Sequence, residues 1–333
     1  MTYIGIDVHK RQSQVAVVED DGSTQRESRV DNAELGEFVA EYEDAQAVIE
    51  ATSNYYAIYD ALEQHLEVSV AHPTKLAWIA KSRQKTYEAD ASKLAELLRL
   101  DAVPESYVPP EEIRECRALA RGRKKLVEKR TDAKNEVHAI LDQNGIRIDS
   151  PFTDEGREQL AALEVEGSDQ VMLEQWLGTI DDLDARIKDV DREIVEMSKS
   201  ISDVDLLMTI PGVASYSGLM IYGEIGEIER FDRAKELVSY AGLDPTVRES
   251  ADSRTEGPIS KEGSEYLRHT LVQCANIAVH NCDDPYLSEF YERLRRRGKP
   301  HQVAIVATAR KLLVSIFHIL TKEEVYDPPP VRE

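Results

Sequence analysis

The chain has 333 residues, with 41 Lys+Arg against 63 Asp+Glu and a formal charge of −22. That length allows two or three domains with cores of their own. The three cysteines, Cys116, Cys274 and Cys282, lack CxxC spacing, which excludes a disulfide framework or a zinc site from the expectations. So acidic a total ordinarily argues against a nucleic-acid partner. Here the acids are spread over nearly every polar stretch, a pattern that fits a surface adapted to high salt, where solvated carboxylates keep a protein soluble. No secretory leader and no apolar run of membrane-spanning length are read from the sequence, so a soluble, cytoplasmic protein without a membrane partner is expected.

The chain opens on a strand, Tyr3-Ile4-Gly5-Ile6-Asp7-Val8, whose apolar residues alternate and whose end carries the carboxylate of Asp7. Ser13 to Val18 and Thr24 to Val30 read as two further strands, joined at Asp20-Asp21-Gly22. Asp31 and Asn32 are candidate caps for a helix reaching Glu43. Ala47 to Ala51 is a short buried strand bearing Glu50, and Tyr55 to His65 a helix. Val68 to Val70 follows as a strand, then helices over 73–81 and from about Thr86 to Leu100. The order β-β-β-α-β-α-β-α is that of an RNase H-like (RuvC-like) α/β domain. In such a sheet the first and fourth strands end side by side. Asp7 and Glu50 should therefore meet, with Asp90 on the last helix completing an acidic cluster. Clustered carboxylates call for a divalent cation, and oxygen-only donors suit Mg²⁺ or Mn²⁺. A pair of such ions can hold both reacting oxygens of a phosphodiester. Taken singly, each of these acids reads as a solvated surface residue; their joint placement gives the expectation its weight.

From Pro110 to Asn144 the pattern is helical, closed by Gly145. This helix is locally basic. Arg121, Arg123, Lys124, Lys125, Arg130 and Lys134 are candidate phosphate contacts, against the bland reading of a solvated face. A second long helix, 171–200, repeats Leu173, Leu177, Ile180, Leu183, Ile187, Val190, Ile194 and Met197 at spacings of three and four. That seam predicts a coiled-coil hairpin or a dimerisation arm, and the pattern alone does not choose between them.

The last third is helical. Thr209-Ile210-Pro211-Gly212 lies between apolar segments and resembles a helix–hairpin–helix turn, with Gly212 offering backbone N–H groups to a phosphate or simply turning the chain. A helix over 233–241 leads to an irregular stretch, 242–251, that includes Arg248 and Ser250. Lys261 and Arg268 follow as further candidate nucleic-acid contacts. No Ser-His-Asp spacing marks Ser250 as a hydrolase nucleophile. The cluster Arg293, Arg295, Arg296, Arg297 and Lys299 precedes a final apolar helix over 302–320.

Across nearly its whole length the chain resembles the DEDD class of insertion-sequence transposases, which includes the Piv-type DNA invertases and the bridge-RNA-guided recombinases. The resemblance is carried, in order, by Gly5-Ile6-Asp7-Val8-His9-Lys10, Ile49-Glu50-Ala51, Lys85-Thr86 through Asp90-Ala91, Arg130-Thr131 with Lys134-Asn135, Thr209-Ile210-Pro211-Gly212, and Gly242-Leu243-Asp244-Pro245 leading to Ser250. It implies a RuvC-like nuclease domain (1–105), a coiled-coil linker or oligomerisation region (106–202) and a helical transposase domain (203–325). It also implies divalent metal on the acidic cluster and a C-terminal serine that links covalently to DNA. By position Asp7, Glu50 and Asp90 match three of the four acids, and Ser250 matches the nucleophile. The family's third acid falls on Tyr87, a departure that matters. A phenol with a pKa of about 10 is a poor Mg²⁺ ligand, and Glu88 next to it is turned by about 100° around the helix. The departure implies weaker metal binding at that position. Ala251, where the family commonly has glycine, is a mild change.

The expectation is therefore a transposase that cuts and rejoins donor and target DNA through Ser250 with Mg²⁺ or Mn²⁺. From the resemblance alone, it would work as a dimer or tetramer with a structured guide RNA. Two alternatives stay open: a metal-only nuclease of the Holliday-junction type with Ser250 inert, and a nucleic-acid-binding relic in which Tyr87 marks lost catalysis.

Overall fold

The computed structural model describes residues 1–52, 55–73, 75–76, 87–250 and 253–328; for 87–90, 247–250 and 253–256 it describes the backbone alone. The chain divides into two units, Met1–Val108 and Pro109–Glu333. The long helices thus share a unit with the C-terminal helices, and no division falls near residue 202.

The first unit is built on a five-stranded sheet of β1 (Thr2–Asp7), β2 (Gln12–Glu19), β3 (Thr24–Asp31), β4 (Ala45–Glu50) and β5 (Glu67–Ala71). Their spatial order is β3-β2-β1-β4-β5. β1, β2 and β3 are antiparallel neighbours, whereas β1, β4 and β5 run parallel. The predicted helix after β3 is shorter than its sequence pattern suggests. Asp31 Oδ1 caps a single 3₁₀ turn by accepting from Ala33 N at 3.2 Å, and α1 covers only Leu35–Val39. α2 (Tyr55–Glu63) and α3 (Tyr87–Arg99) complete the unit. The predicted helix over 73–81 falls largely outside the described residues.

Strand alternation divides the sheet residues between two faces. Ile4, Ile6, Ala47 and Ile49 point one way, into a core with Leu35, Phe38, Ile58 and Leu62 from α1 and α2. Val48 points the other way, and packs with Leu94 of α3. Gly5, paired with Val48 in β4 and with Ala16 in β2, lies on that second face. A Cβ on Gly5 would sit 2.0 Å from the Ala91 carbonyl oxygen and 2.5 Å from Ala95 N. Only a glycine lets the α3 backbone rest so close to β1.

The second unit is helical apart from one hairpin. α4 (Glu111–Gln143), α5 (Asp154–Ala161) and α6 (Ser168–Ser198) come first. Arg123–Asp191 and Arg130–Asp184 pair across α4 and α6, and Asn144 Nδ2 donates to Asp169 at 2.8 Å, so the two long helices run antiparallel within one chain. The buried apolar positions of α6, Leu173, Ile180, Ile187 and Ile194, recur every seven residues, as a knobs-into-holes seam requires. Then follow α7 (Ser202–Met208), α8 (Ser215–Ile225), α9 (Ala234–Tyr240), β6 (Pro245–Ser250), β7 (Ser253–Ile259), α10 (Glu265–His280), α11 (Pro285–Arg296) and α12 (His301–Lys322). The stretch 242–251, expected to be irregular, holds β6, which pairs antiparallel with β7. The sequence reading also passed over α5 and α11. Helix α12 corrects a further expectation: by length and mean hydropathy it could cross a membrane. Leu312, Leu313, Ile316 and Phe317 of α12 are buried in the core of the second unit. Cys116, Cys274 and Cys282 are free thiols.

Substituting Gly5→Ala is expected to force β1 and α3 apart, since the clashing atoms are backbone and have no rotamer to retreat into. Overpacking of this kind costs about 3 kcal/mol. A thermal melt of the full chain should show a lowered first transition; an unchanged melt would mean that the helix moves freely off the strand.

Candidate active site

The first unit places Asp7 and Glu50 at the ends of adjacent parallel strands. The β1–β4 ladder runs in register to Ile6–Ile49, so the next residues, Asp7 and Glu50, follow as neighbours with side chains on one face. Both are half-buried. By alternation this is the face of Gly5 and Val48, the one that α3 covers. The Asp7 side chain is 14% exposed and lies 3.5 Å from His9 Nε2. The turn after β1 is fixed by Asn32, whose Nδ2 donates to the His9 carbonyl at 2.8 Å while its Oδ1 accepts from Ser13 Oγ at 2.7 Å. Ser13 is completely buried.

The third station is set by the direction of α3. Arg99, at its C-terminal end, donates to the carbonyl of Asp20 at 3.3 Å, beyond the end of β2 that pairs with the start of β1. Ala91 lies over Gly5. The first turn of α3, Tyr87 to Asp90, therefore sits towards the end of β1 that carries Asp7. The side chains of Tyr87, Glu88 and Asp90 lie outside the described residues. Among the described residues, no group of three or more His, Cys, Asp or Glu could hold a metal ion. What the geometry offers is two hard carboxylates on one sheet face, with the backbone of a third acid close to the same strand end. That donor chemistry fits Mg²⁺ or Mn²⁺.

In the second unit Ser250 is the last residue of β6, and the Ser250–Ser253 pair closes the hairpin at its turn. Its side chain and that of Arg248 lie outside the described residues, as does Ala251. The base of the hairpin is tightly held. Gly242, at φ +65°, places its Cα where a Cβ would meet the Glu262 carbonyl oxygen at 2.2 Å, and a Cβ on Gly263 would meet the Tyr240 oxygen at 1.9 Å. Asp244 accepts from Ser260 Oγ at 2.7 Å, and Ser260 N donates to the Asp244 carbonyl at 2.8 Å.

The residues proposed from sequence as phosphate contacts turn out to have varied surroundings. Arg121 makes a two-pronged pair with Glu224, at 2.6 and 2.9 Å, and stacks over Tyr266. Arg123 pairs with Asp191 and lies over Tyr216, and Arg130 pairs with Asp184. Lys124 pairs with Glu128, and Lys134 lies over Phe152. Arg268 donates to the carbonyls of Ala241 and Gly263, stapling the hairpin base. Gly212 packs its Cα against α10, where a Cβ would meet the Cys274 oxygen at 2.8 Å, so packing alone accounts for this glycine. Lys125 and Lys261 are exposed.

Sequence reasoning missed Glu224. It is 1% exposed, accepts from Arg121, and accepts from Ser264 Oγ at 2.6 Å, while Ser264 also caps α10. One buried carboxylate thus ties α4 and α8 to the segment that follows the hairpin. A lone glutamate inside the apolar run Leu219 to Ile225 is the signal that could have found it.

Comparisons with known proteins point to a family. A transposase family model matches residues 4–145, and the model described as transposase of the IS116/IS110/IS902 family matches residues 204–292. The chain is similar to the transposase for insertion sequence element IS1111A of Coxiella burnetii, 26% identical over 97% of this chain and 90% of that protein. It is 25% identical to the transposase for IS1328 of Yersinia enterocolitica, over 98% of each chain. The pilin gene-inverting protein of Moraxella bovis is 26% identical, over 84% of this chain and 81% of its own.

Replacing Glu224→Ala strands a partly buried guanidinium and removes the acceptor of Ser264, at an expected cost of about 3 kcal/mol. Arg123→Ala breaks a half-exposed pair with Asp191 and a contact over the Tyr216 ring, and should cost about 1 kcal/mol. Denaturant midpoints for the two variants would separate them; equal midpoints would contradict the role given to the buried carboxylate.

Proposed function

We propose that this chain, which belongs to the IS116/IS110/IS902 family of transposases, cuts and rejoins DNA at an insertion element with Ser250 as nucleophile. The family gives a transposase acting on DNA; the serine chemistry is our reading. The observation that supports metal-assisted cleavage is the approach of Asp7, Glu50 and the first turn of α3 to one end of β1, in a sheet of order β3-β2-β1-β4-β5. Asp7 and Glu50, with Asp90, would hold Mg²⁺ or Mn²⁺. When bound, such an ion supplies Lewis-acid polarisation of a phosphodiester.

The chain's own residues supply the rest. The Ser250 hydroxyl loses its proton as its oxygen attacks phosphorus. The bond from phosphorus to the 3′ oxygen breaks, and that oxygen leaves as a hydroxyl after taking up a proton. Rejoining reverses the step, with a 3′ hydroxyl attacking and the serine oxygen leaving. The hairpin that carries Ser250 is clamped at its base by Gly242 and Gly263. A structured guide RNA and a dimer or tetramer complete the proposal, and these rest on the family resemblance.

Incubating the chain with its element's RNA, donor and target DNA and Mg²⁺ should yield a protein–DNA adduct on a denaturing gel. Ser250→Ala should abolish it. An adduct that survives Ser250→Ala would remove the serine from the mechanism, and cleavage without any adduct would favour a metal-only nuclease. Tyr87→Asp tests the departure from the family pattern: an adduct found only in that variant would mark the wild-type chain as a disabled transposase.

A further inference from the structure

The C-terminal helices present a surface that this mechanism does not use. α11 ends in Arg293, Arg295 and Arg296, the following turn adds Arg297 and Lys299, and Arg310 follows on α12. From Arg293 to Lys322 there is no Asp or Glu, although 63 of the 333 residues are acidic, roughly one in five. A core helix accounts for part of that gap, since the inward side of α12 is apolar and buried. It does not account for the exposed positions. All six of these cations are exposed, at sites where the rest of this chain places carboxylates freely.

Internal partners neutralise little of the charge. Arg296 pairs with Glu289 at 2.6 Å. Arg295 donates to the Lys299 carbonyl at 2.7 Å, a contact that orients the guanidinium without cancelling it. Among the described residues, Arg297, Lys299 and Arg310 form no ion pair. The other acid on α11, Glu292, is exposed. Five cations within Arg293 to Lys299 repel one another, and a string of anions relieves that repulsion. Arginine forks match phosphate oxygens in pairs.

The neighbouring rings narrow the partner further. Lys311 Nζ lies 3.8 Å from the centre of the Tyr286 ring and 4.6 Å from that of Phe290, and Arg293 also lies over Phe290. With cations over them, these rings are poorly placed to stack bases. An arginine fork or the exposed Gln302 could meet a single base edge, but five clustered cations match a run of phosphates better than isolated base contacts. We propose that the end of α11 and the turn into α12 dock the phosphodiester backbone of a nucleic-acid duplex without reading its sequence. This deepens the function proposed above and rests on it only in taking nucleic acid as the partner. It adds a positioning surface remote in sequence from Ser250, in a chain whose overall charge repels its substrate.

The test is equilibrium binding by fluorescence anisotropy, with the full chain, EDTA present, and KCl varied over the range in which circular dichroism shows it folded. The probes are a mixed-sequence DNA duplex, the matching RNA duplex and polyglutamate. Combined Arg295→Ala, Arg297→Ala and Lys299→Ala should weaken duplex binding about tenfold or more and lower the slope of log K against log salt by about 2 to 3. A control variant carrying Arg147→Ala, Arg192→Ala and Lys199→Ala loses the same charge from exposed pairs elsewhere and should bind as the wild type does. Loss on the DNA probe, the RNA probe or both supports the surface and identifies which backbone it holds. The inference is overturned if the triple variant binds both duplexes like the wild type, if the control loses as much, or if polyglutamate binds as tightly as the duplexes. A wild-type chain that binds neither duplex would instead remove the functional reading itself.

Discussion

The contact between Gly5 and the backbone of α3 is the constraint on which the first unit depends. Parallel pairing of β1 with β4 would bring Asp7 beside Glu50 in any case. The close approach at Gly5, together with Leu94 against Val48 and Arg99 on the Asp20 carbonyl, holds the start of α3 towards the same strand end. Burying two carboxylates side by side is unfavourable unless a cation or hydrogen bonds compensate. The fold accepts that repulsion at one place and surrounds it with order: a fully buried Ser13, an Asn32 that fixes the turn after β1, and a core of Ile4, Ile6 and Ile49 on the opposite face. A rigid frame of this kind holds the two carboxylates in a fixed relation.

The second unit solves a different problem. It must present a short two-stranded hairpin, which is marginal in isolation, from a helical body. The solution is at the hairpin's base, where two glycines allow backbone to press against backbone and Arg268 bridges two carbonyls. Glu224 and Arg121 then join this base to the long helix α4. The basic run of α4, read singly, looks like a phosphate-binding stripe. Within the unit most of those cations have acidic or aromatic partners, whereas among the described residues Arg297 and Lys299 form no ion pair.

Much of this was legible in the sequence because it obeys local periodicity. The alternation of Ile4, Ile6 and Val8 and the seven-residue recurrence from Leu173 to Ile194 each announce their element and its buried side. The placement of Asp7 and Glu50 followed from strand order alone. What escaped was of two kinds. The short helix α5 gains its stability from partners elsewhere in the chain, with Leu160 packed among Val137, Leu173 and Ile180, and no window of its own residues carries that signal. Ionic partnerships such as Arg121 with Glu224 span 103 positions, so the run of cations on α4 could be seen and its internal neutralisation could not. At α12, read from the sequence as a final apolar helix, apolar length alone would suit a membrane, yet its buried side chains belong to a protein core.

The central claim is that Asp7 and Glu50 are metal ligands and not merely adjacent acids. The most direct measurement is anomalous diffraction from crystals of the chain soaked in Mn²⁺. The account predicts a manganese peak within coordination distance, about 2.0 to 2.6 Å, of carboxylate oxygens of both Asp7 and Glu50, and its loss in crystals of Asp7→Asn. Manganese absent from that pair, or bound there without touching either carboxylate, would contradict it.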